Sequence, residues 1–461
     1  MMNLVALAQI LVVASLTWGT LAFGATYEWA SRPLAILAVL AGAACVAAGW
    51  RAPAPRNYVI AAMAVLLCAI GVQLVPVSQV TLSSLNPERH HFLQRLYLGY
   101  RFNPMMRHPL SINPPLTWWA LSFCAASFLW IVGLSKLLAV TGAKWLVKSL
   151  TLLAALIAVV GIVQNAVYDG RLYGFWTPED PYAGPFGPFV NKNHFAGWML
   201  MVLPLTYAWL RFEGDRHHGL RQSTWRDRLL WLSSKRASRL ILICGSLAVM
   251  LMALLLTMSR SGILSLLVTL AIAAVAALRG HGTRLKKTLT ALTPVVATAL
   301  TVAWIGPGAI SDRFRTLTSG DLRLDAWADA IAIGQRFSLA GTGLNTYGTA
   351  TLLLQERLKY MHFAQAHNDY LQLWVEGGVL LVTAALLLAA ALLAQTVSRF
   401  RESSERNWFR RGAIVGIIAI AMQEAVDFSL QMPANLLLLA TLCVLAIYPV
   451  VGAPRERKAR S

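Results

Sequence analysis

Charge is scarce in this chain of 461 residues, and acid is scarcest: Asp and Glu number 20 against 40 Lys and Arg, and charged residues make up 13% of the total. Soluble domains carry about a quarter. A chain this poor in charge, 57% apolar with mean hydropathy +0.58, is excluded from that class and reads as an integral membrane protein. Cysteine is sparse too. Cys45, Cys68, Cys124, Cys244 and Cys443 all lie inside apolar runs, with no CxxC spacing. That excludes a disulfide framework and a thiolate metal site, and leaves close packing of a small side chain. The motifs of metal and nucleotide chemistry are missing as well, with no DxD array, no GxxxxGK[ST] loop and no HExxH. No metal and no cofactor are expected, so Arg and Lys would have to neutralise any phosphate substrate. Neither a repeat of fixed period nor a low-complexity tract is present.

Long apolar runs dominate what is there. They lie near 3–23, 33–50, 57–77, 116–134, 145–168, 194–210, 239–258, 262–278, 288–306, 371–394, 412–429 and 433–450. A spanning helix needs roughly 20 apolar residues, so the fold class is all-α, a polytopic transmembrane bundle of about 12 spans. The first run lacks a basic leader and a small-residue cleavage site and reads as a retained helix. Between Arg239 and Arg279 only Thr257–Gly262 interrupts the apolar sequence. One helix of that length would measure about 60 Å, twice the hydrocarbon core of roughly 30 Å. The chain is therefore expected to turn back at Ser259–Gly262.

With both termini placed in the cytoplasm, the inner segments hold 26 of the 40 Lys and Arg and six of the 20 acids. The surplus positive charge then lies on one side, as the positive-inside rule requires. This accounts for the net charge of +20 without nucleic acid and makes anionic membrane lipids its partners. Three outer segments are long. Residues 78–115 hold four Arg and the turn signals Asn86-Pro87, Asn103-Pro104 and Asn113-Pro114. Residues 169–193 are rich in Pro, Gly and aromatics. The largest, 307–366 between spans nine and ten, is of functional length and predicts short helices near 321–336 (capped by Asp321) and 349–361, separated by Gly341-Thr342-Gly343. Three regions follow: spans one to five with their loops over 1–186, a core over 187–395, and spans eleven and twelve with a basic tail over 396–461.

Several outer positions carry candidate chemistry. Arg260 sits in the Ser259–Gly262 hairpin, where it either snorkels to headgroups or presents paired donors to phosphate. Arg323 leads a predicted helix and either joins Asp325 and Asp329 or serves as a second phosphate ligand, a role for which Arg313 and Arg315 compete. His367 precedes an apolar helix, as a cap or core residue or as a proton acceptor near neutral pH. Asn368, Gln372 and Glu376 recur every four residues behind it, on one face. Glu376 lies too deep to act with His367 and is expected to brace the bundle through an Arg or a backbone donor. Glu424 and Asp427 share a face at the end of span eleven and need cationic or protonated partners. Lys192, Asn193 and His194 enter span six from a Pro/Gly loop, as capping residues or as substrate contacts.

These residues, in this order on this frame, resemble the O-antigen ligase family of bacterial inner-membrane proteins, which shares a core domain with O-antigen polymerases. The resemblance rests on Gly187-Pro188-Phe189-Val190-Asn191-Lys192-Asn193-His194-Phe195-Ala196, on Ser259-Arg260-Ser261-Gly262, on Arg323 ahead of Trp327 and the Gly341/Gly343 turn, and on Ala366-His367-Asn368-Asp369-Tyr370-Leu371 with Glu376-Gly377. It covers about 185–380. It implies an inverting, metal-independent glycosyltransferase at the periplasmic face. The donor would be a glycan on undecaprenyl pyrophosphate, and the acceptor a lipid A–core hydroxyl or a growing glycan. Arg260 and Arg323 would then bind the pyrophosphate and His367 would orient or deprotonate the acceptor. Lys192, Asn193, His194, Asn368, Tyr370 and Glu376 would contact substrate. A repeat-unit polymerase is the alternative within the enzyme class. A secondary transporter using Glu376, Glu424 and Asp427 is the rival outside it, and would be expected to show internal pseudo-repeats.

Overall fold

Backbone polar groups in a bilayer must be satisfied internally, which favours helices. In the computed structural model all long elements are helical, and extended pairing among the described residues is limited to three isolated bridges. The structure describes residues 2–179, 184–215, 233–279, 322–357, 359–400 and 407–449, with the single positions 296, 299 and 303. The ninth apolar run, Arg313, Arg315, Asp321 and the basic tail lie outside the described residues, apart from those three positions.

The first half contains α1 (Met2–Leu21), α2 (Glu28–Ala48), α3 (Asn57–Val72), α4 (Gln79–Leu85), α5 (Pro87–Leu96), α6 (Leu98–Phe102), α7 (Pro114–Thr141), α8 (Lys144–Val167) and α9 (Lys192–Asp215). The second half contains α10 (Lys235–Leu256), α11 (Arg260–Arg279), α12 (Leu322–Arg336), α13 (Tyr347–Leu354), α14 (Asp369–Phe400), α15 (Asn407–Gln423) and α16 (Pro433–Ile447). Seven helices are long and apolar enough to cross a membrane, namely α1, α2, α7, α8, α9, α10 and α14; α3, α16 and the Arg260–Ile272 part of α11 are shorter apolar helices. The chain is a polytopic helical membrane protein.

Among the seven, α9 is the most enclosed, with 72% of its apolar window buried. It packs against α8, α10, α11, α15 and α16, and its Trp198 is buried. The expected reversal after span seven is present. Thr257 ends α10, Met258 adopts φ +50, and α11 starts at Arg260. A Cβ on Gly262 would sit 2.7 Å from Ala196 at the start of α9, while the start of α10 meets the other end of α9 through Arg239 and Glu213. α10 therefore runs antiparallel to α9, and α11 sets out from the start of α9 in the same direction as α9.

The polar contacts separate into two ends. At one end Glu213 pairs with Lys144 at 2.6 Å and Arg239 at 3.2 Å. Lys136 donates to the Ala52 carbonyl, and buried Arg410 donates to the carbonyls of Arg399, Ala446 and Tyr448. At the other end lies a cap built from residues 73–113 and 322–366. Two of its Asn-Pro signals are helix starts rather than free turns. Asn86 caps α5 by accepting from the Arg89 amide, and Pro114 opens α7. The second loop helix is shorter than expected, ending at Leu354 instead of near 361. Its continuation turns away because Asp329 accepts the backbone N–H groups of Glu356 and Arg357, which caps the chain there.

The cap is fastened to the bundle through a break in α14. Gly378 takes φ 56° and ψ −164°, so the helix cannot pair its own groups across this point. Freed carbonyls of Val375 and Glu376 accept from Thr342 and Gly343, and the N–H groups of Val379 and Leu380 donate to Ser338 and Leu339. The Gly341/Gly343 turn is thus seated in the helix break. Buried Gln73 locks it from α3's end, donating to the carbonyls of Ala340 and Glu376 and accepting from the Leu344 amide.

Candidate active site

The start of α14 determines where His367 sits. Asn368 is the helix cap, its side-chain oxygen accepting from the Leu371 amide at 3.0 Å. Gln372 accepts from the Ala366 amide and donates to Gln365. These bonds hold His367 at φ +53, a left-handed conformation that a non-glycine residue adopts at some cost. The imidazole is thereby turned out of the helix. It meets the Phe428 ring edge-to-face, with centroids 4.7 Å apart. His194, buried at the first turn of α9, meets the same Phe428 at 4.8 Å. Phe428 thus stands between two imidazoles, and the His194 Nε2 is buried without a hydrogen-bond partner among the described residues.

Asp427, next to Phe428 and fully buried, joins the two arginine regions. Its Oδ2 accepts from Ser261 Oγ at 2.8 Å and lies 3.8 Å from the Arg323 guanidinium. Arg260 is half-buried between Ser259 and Ser261. The Arg323 side chain keeps 30% of its surface exposed, so the ion pair leaves part of the guanidinium accessible. Burial pushes the Asp427 carboxyl above its ordinary pKa; Arg323 and Ser261 oppose the rise. Asp325 and Asp329 are engaged elsewhere, Asp325 with Arg357 and Asp329 with the backbone after α13. Arg323 therefore faces across to Asp427 rather than along its own helix.

Beside this group lies a second acid pair. Buried Glu424 accepts from the Leu430 amide, and its backbone carbonyl accepts from the Asp369 amide. Asp369 in turn accepts from Gln431. Burial and the Asp369 carboxylate together hold the Glu424 carboxyl well above its usual range. The sequence led us to expect basic partners for both acids. Asp427 has one in Arg323, whereas Glu424 has the Asp369 carboxyl for a neighbour.

The remaining candidates divide. The Asn193 carbonyl accepts from Gln423 and Ser429, and the His194 carbonyl from Asn435, so both fix the 423–435 turn that carries Asp427 and Phe428. Lys192 begins α9 at the edge of this region, its amide bonded to Gly184. Tyr370 is exposed and donates to the Ala421 carbonyl, bracing α15. Glu376 does not meet the His367–Arg323 group. Its carboxylate accepts from the Asn345 amide, the Tyr347 amide and Gln372, which makes it the backbone brace of the cap. Phe428 was not singled out by the sequence, and Ser261 figured only as part of the Ser259–Gly262 motif. Phe428 is one apolar residue among many, and its only clue was adjacency to Asp427. Among the described residues no His, Cys, Asp or Glu side chains group as a metal site.

The fold and this site define a class: a multi-spanning membrane protein in which Arg323 and Ser261 meet a buried carboxylate, Asp427, with His367 packed on the adjacent Phe428. Residues 245–388 match the family model described as O-Antigen ligase. The matched stretch contains Arg260, Arg323 and His367 but starts after the Lys192–His194 motif, so it is shorter than the 185–380 suggested by the sequence. No curated protein matches the chain. The family supports an enzyme of ligase or polymerase type acting on polysaccharide.

Proposed function

We propose that the protein transfers a glycan from undecaprenyl pyrophosphate to a hydroxyl of lipid A–core, with inversion and without a metal. The observation that carries this reading is the convergence of Arg323 and Ser261 on Asp427, with His367 one ring away across Phe428. Such a transfer has two electrostatic needs: charge stabilisation for a departing pyrophosphate, and a base for an incoming hydroxyl. Arg260 and Arg323 meet the first, presenting planar donors to phosphate oxygens. His367 meets the second. The acceptor oxygen bonds to the anomeric carbon as the bond from that carbon to the pyrophosphate oxygen breaks. The hydroxyl proton passes to the imidazole, and the electron pair leaves with undecaprenyl pyrophosphate. Asp427 holds Arg323 at the donor side, and Phe428 keeps the two imidazoles apart.

On this reading the cap lies on the periplasmic face of the bacterial inner membrane. The Glu213–Lys144–Arg239 end and both termini are cytoplasmic, in keeping with the distribution of Lys and Arg. The test is reconstitution of the purified protein with lipid-linked glycan, with and without lipid A–core. Glycan joined to the core supports the ligase reading. Product that lengthens on the undecaprenyl carrier without core would replace it with a polymerase.

A further inference from the structure

The outer cap contains a second cationic group that shares no residue with the site above. The Asn86 cap starts α5 and places Arg89 and His90 in its first turn. A bridge to Val77 fixes the backbone of His108. Buried Tyr100 links the three: its hydroxyl lies 2.6 Å from His90 Nδ1, its ring centroid is 5.3 Å from that of His108, and it interacts electrostatically with Arg89. Arg89 Nε and His108 Nε2 are both buried without a hydrogen-bond partner. Between 78 and 112 the sequence holds four Arg and three His but a single acid, Glu88. Among the described residues Arg89 forms no ion pair.

Such an arrangement is costly as it stands. Two nitrogen donors of like charge tendency are withdrawn from water with no acceptor to offset the loss. The effect is visible on His108, whose imidazole is held below its ordinary pKa by burial first and by Arg89 second. An anion between them would satisfy both donors and reverse the repulsion. A guanidinium fork beside an imidazole matches the oxygens of a tetrahedral oxyanion. We propose that Arg89 and His108, backed by the His90–Tyr100 pair, form an anion site in the cap that takes a phosphate group. If the glycosyl-transfer reading holds, the site would hold a phosphorylated sugar of the acceptor. That role rests on the proposed function; the binding itself does not.

The experiment uses the full chain in zwitterionic-lipid nanodiscs with carbon-13-labelled histidine, read by NMR. Inorganic phosphate and a hexose phosphate are titrated separately, and phosphatidylglycerol is added to the disc in a third arm. The His108 resonance is assigned by its absence in His108→Gln. It should shift saturably with phosphate, and Arg89→Gln should weaken that titration by about tenfold or more, as loss of a charge-assisted hydrogen bond implies. A shift with the soluble phosphates alone assigns the site to a soluble or saccharide phosphate. A shift on adding phosphatidylglycerol, with loss of the soluble titration, assigns it to a lipid headgroup. A His108 resonance unmoved in all three arms overturns the proposal, and this wild-type result stands even where a variant fails to fold. No glycosyl transfer is measured, so failure here is distinct from failure of the proposed reaction.

Discussion

Glu376→Ala tests how the cap is held to the membrane bundle. In the native protein the carboxylate accepts from two backbone amides, those of Asn345 and Tyr347, and from the Gln372 side chain. The residue is 2% exposed, so water does not replace these bonds. Truncation leaves two N–H groups unsatisfied, one buried and one part-buried. Each costs about 1–3 kcal/mol, and the pair about 2–6 kcal/mol on the same basis. Glu376→Gln keeps one carbonyl acceptor and turns an amide group towards the other donor, so its loss should be about half as large. The assay is the apparent Tm of purified protein in a mild detergent, with limited proteolysis of the 340–366 stretch as a local probe. The order should be wild type, then Glu376→Gln, then Glu376→Ala, with cleavage rising in parallel. If Glu376→Ala melts like the wild type and changes only substrate affinity, the bracing role is wrong and Glu376 belongs to substrate binding.

Three further outcomes follow from the same contacts. Gly341→Ala drives a Cβ into the Glu376 carbonyl at φ +69; it should abolish seating of the turn, seen as loss of monodisperse protein in size-exclusion chromatography. Glu424 has a folded pKa raised above its ordinary value of 4.5, so its proton is bound more tightly in the folded state. The associated stability is present at low pH and is lost as pH rises above about the unfolded value towards the folded one; Glu424→Gln should flatten this fall in Tm across the same window. Asp427→Asn removes the charge that faces Arg323 while keeping the Ser261 contact within reach. It should reduce donor binding by about tenfold, on the scale of one hydrogen bond to a charged group, measured with a fluorescent lipid pyrophosphate.

Much of the scaffold was legible in the sequence because its signals are local. The apolar runs marked the helices, and the excess length of 239–279 marked a reversal, expected at Ser259–Gly262 and found just before it, between Leu256 and Arg260. The depth of Glu376 below His367 separated the two by helical rise alone and left an Arg or a backbone donor as its partner; the structure supplies the backbone donors of Asn345 and Tyr347. What was not legible depends on distant chain segments meeting. Nothing near Gly378 announces that α14 breaks there, because its left-handed geometry is stabilised by residues 338–343 arriving from the cap. The shorter α13 has the same origin, in Asp329. Gln73 is a single polar residue at the end of an apolar run, and only the fold shows it as the fastener of the Gly341/Gly343 turn. In the candidate site the sequence supplied Arg260, Arg323, His367 and the need of Asp427 for a cation. It did not supply Phe428 between His194 and His367, or the carboxyl pair of Asp369 and Glu424, because both arise from the turn after α15 folding onto the starts of α9 and α14.

The central claim is that His367 serves the acceptor while Arg260 and Arg323 serve the pyrophosphate. Its most direct measurement is single-turnover transfer in proteoliposomes, using labelled lipid-linked glycan and lipid A–core, alongside donor binding in the same vesicles. His367→Ala should lose about 10²–10⁴-fold in rate, the usual contribution of a positioned general base, while binding donor as the wild type does. Arg260→Ala and Arg323→Ala should lose donor binding. Transfer by His367→Ala at the wild-type rate, or undiminished donor binding in both arginine variants, would contradict the account.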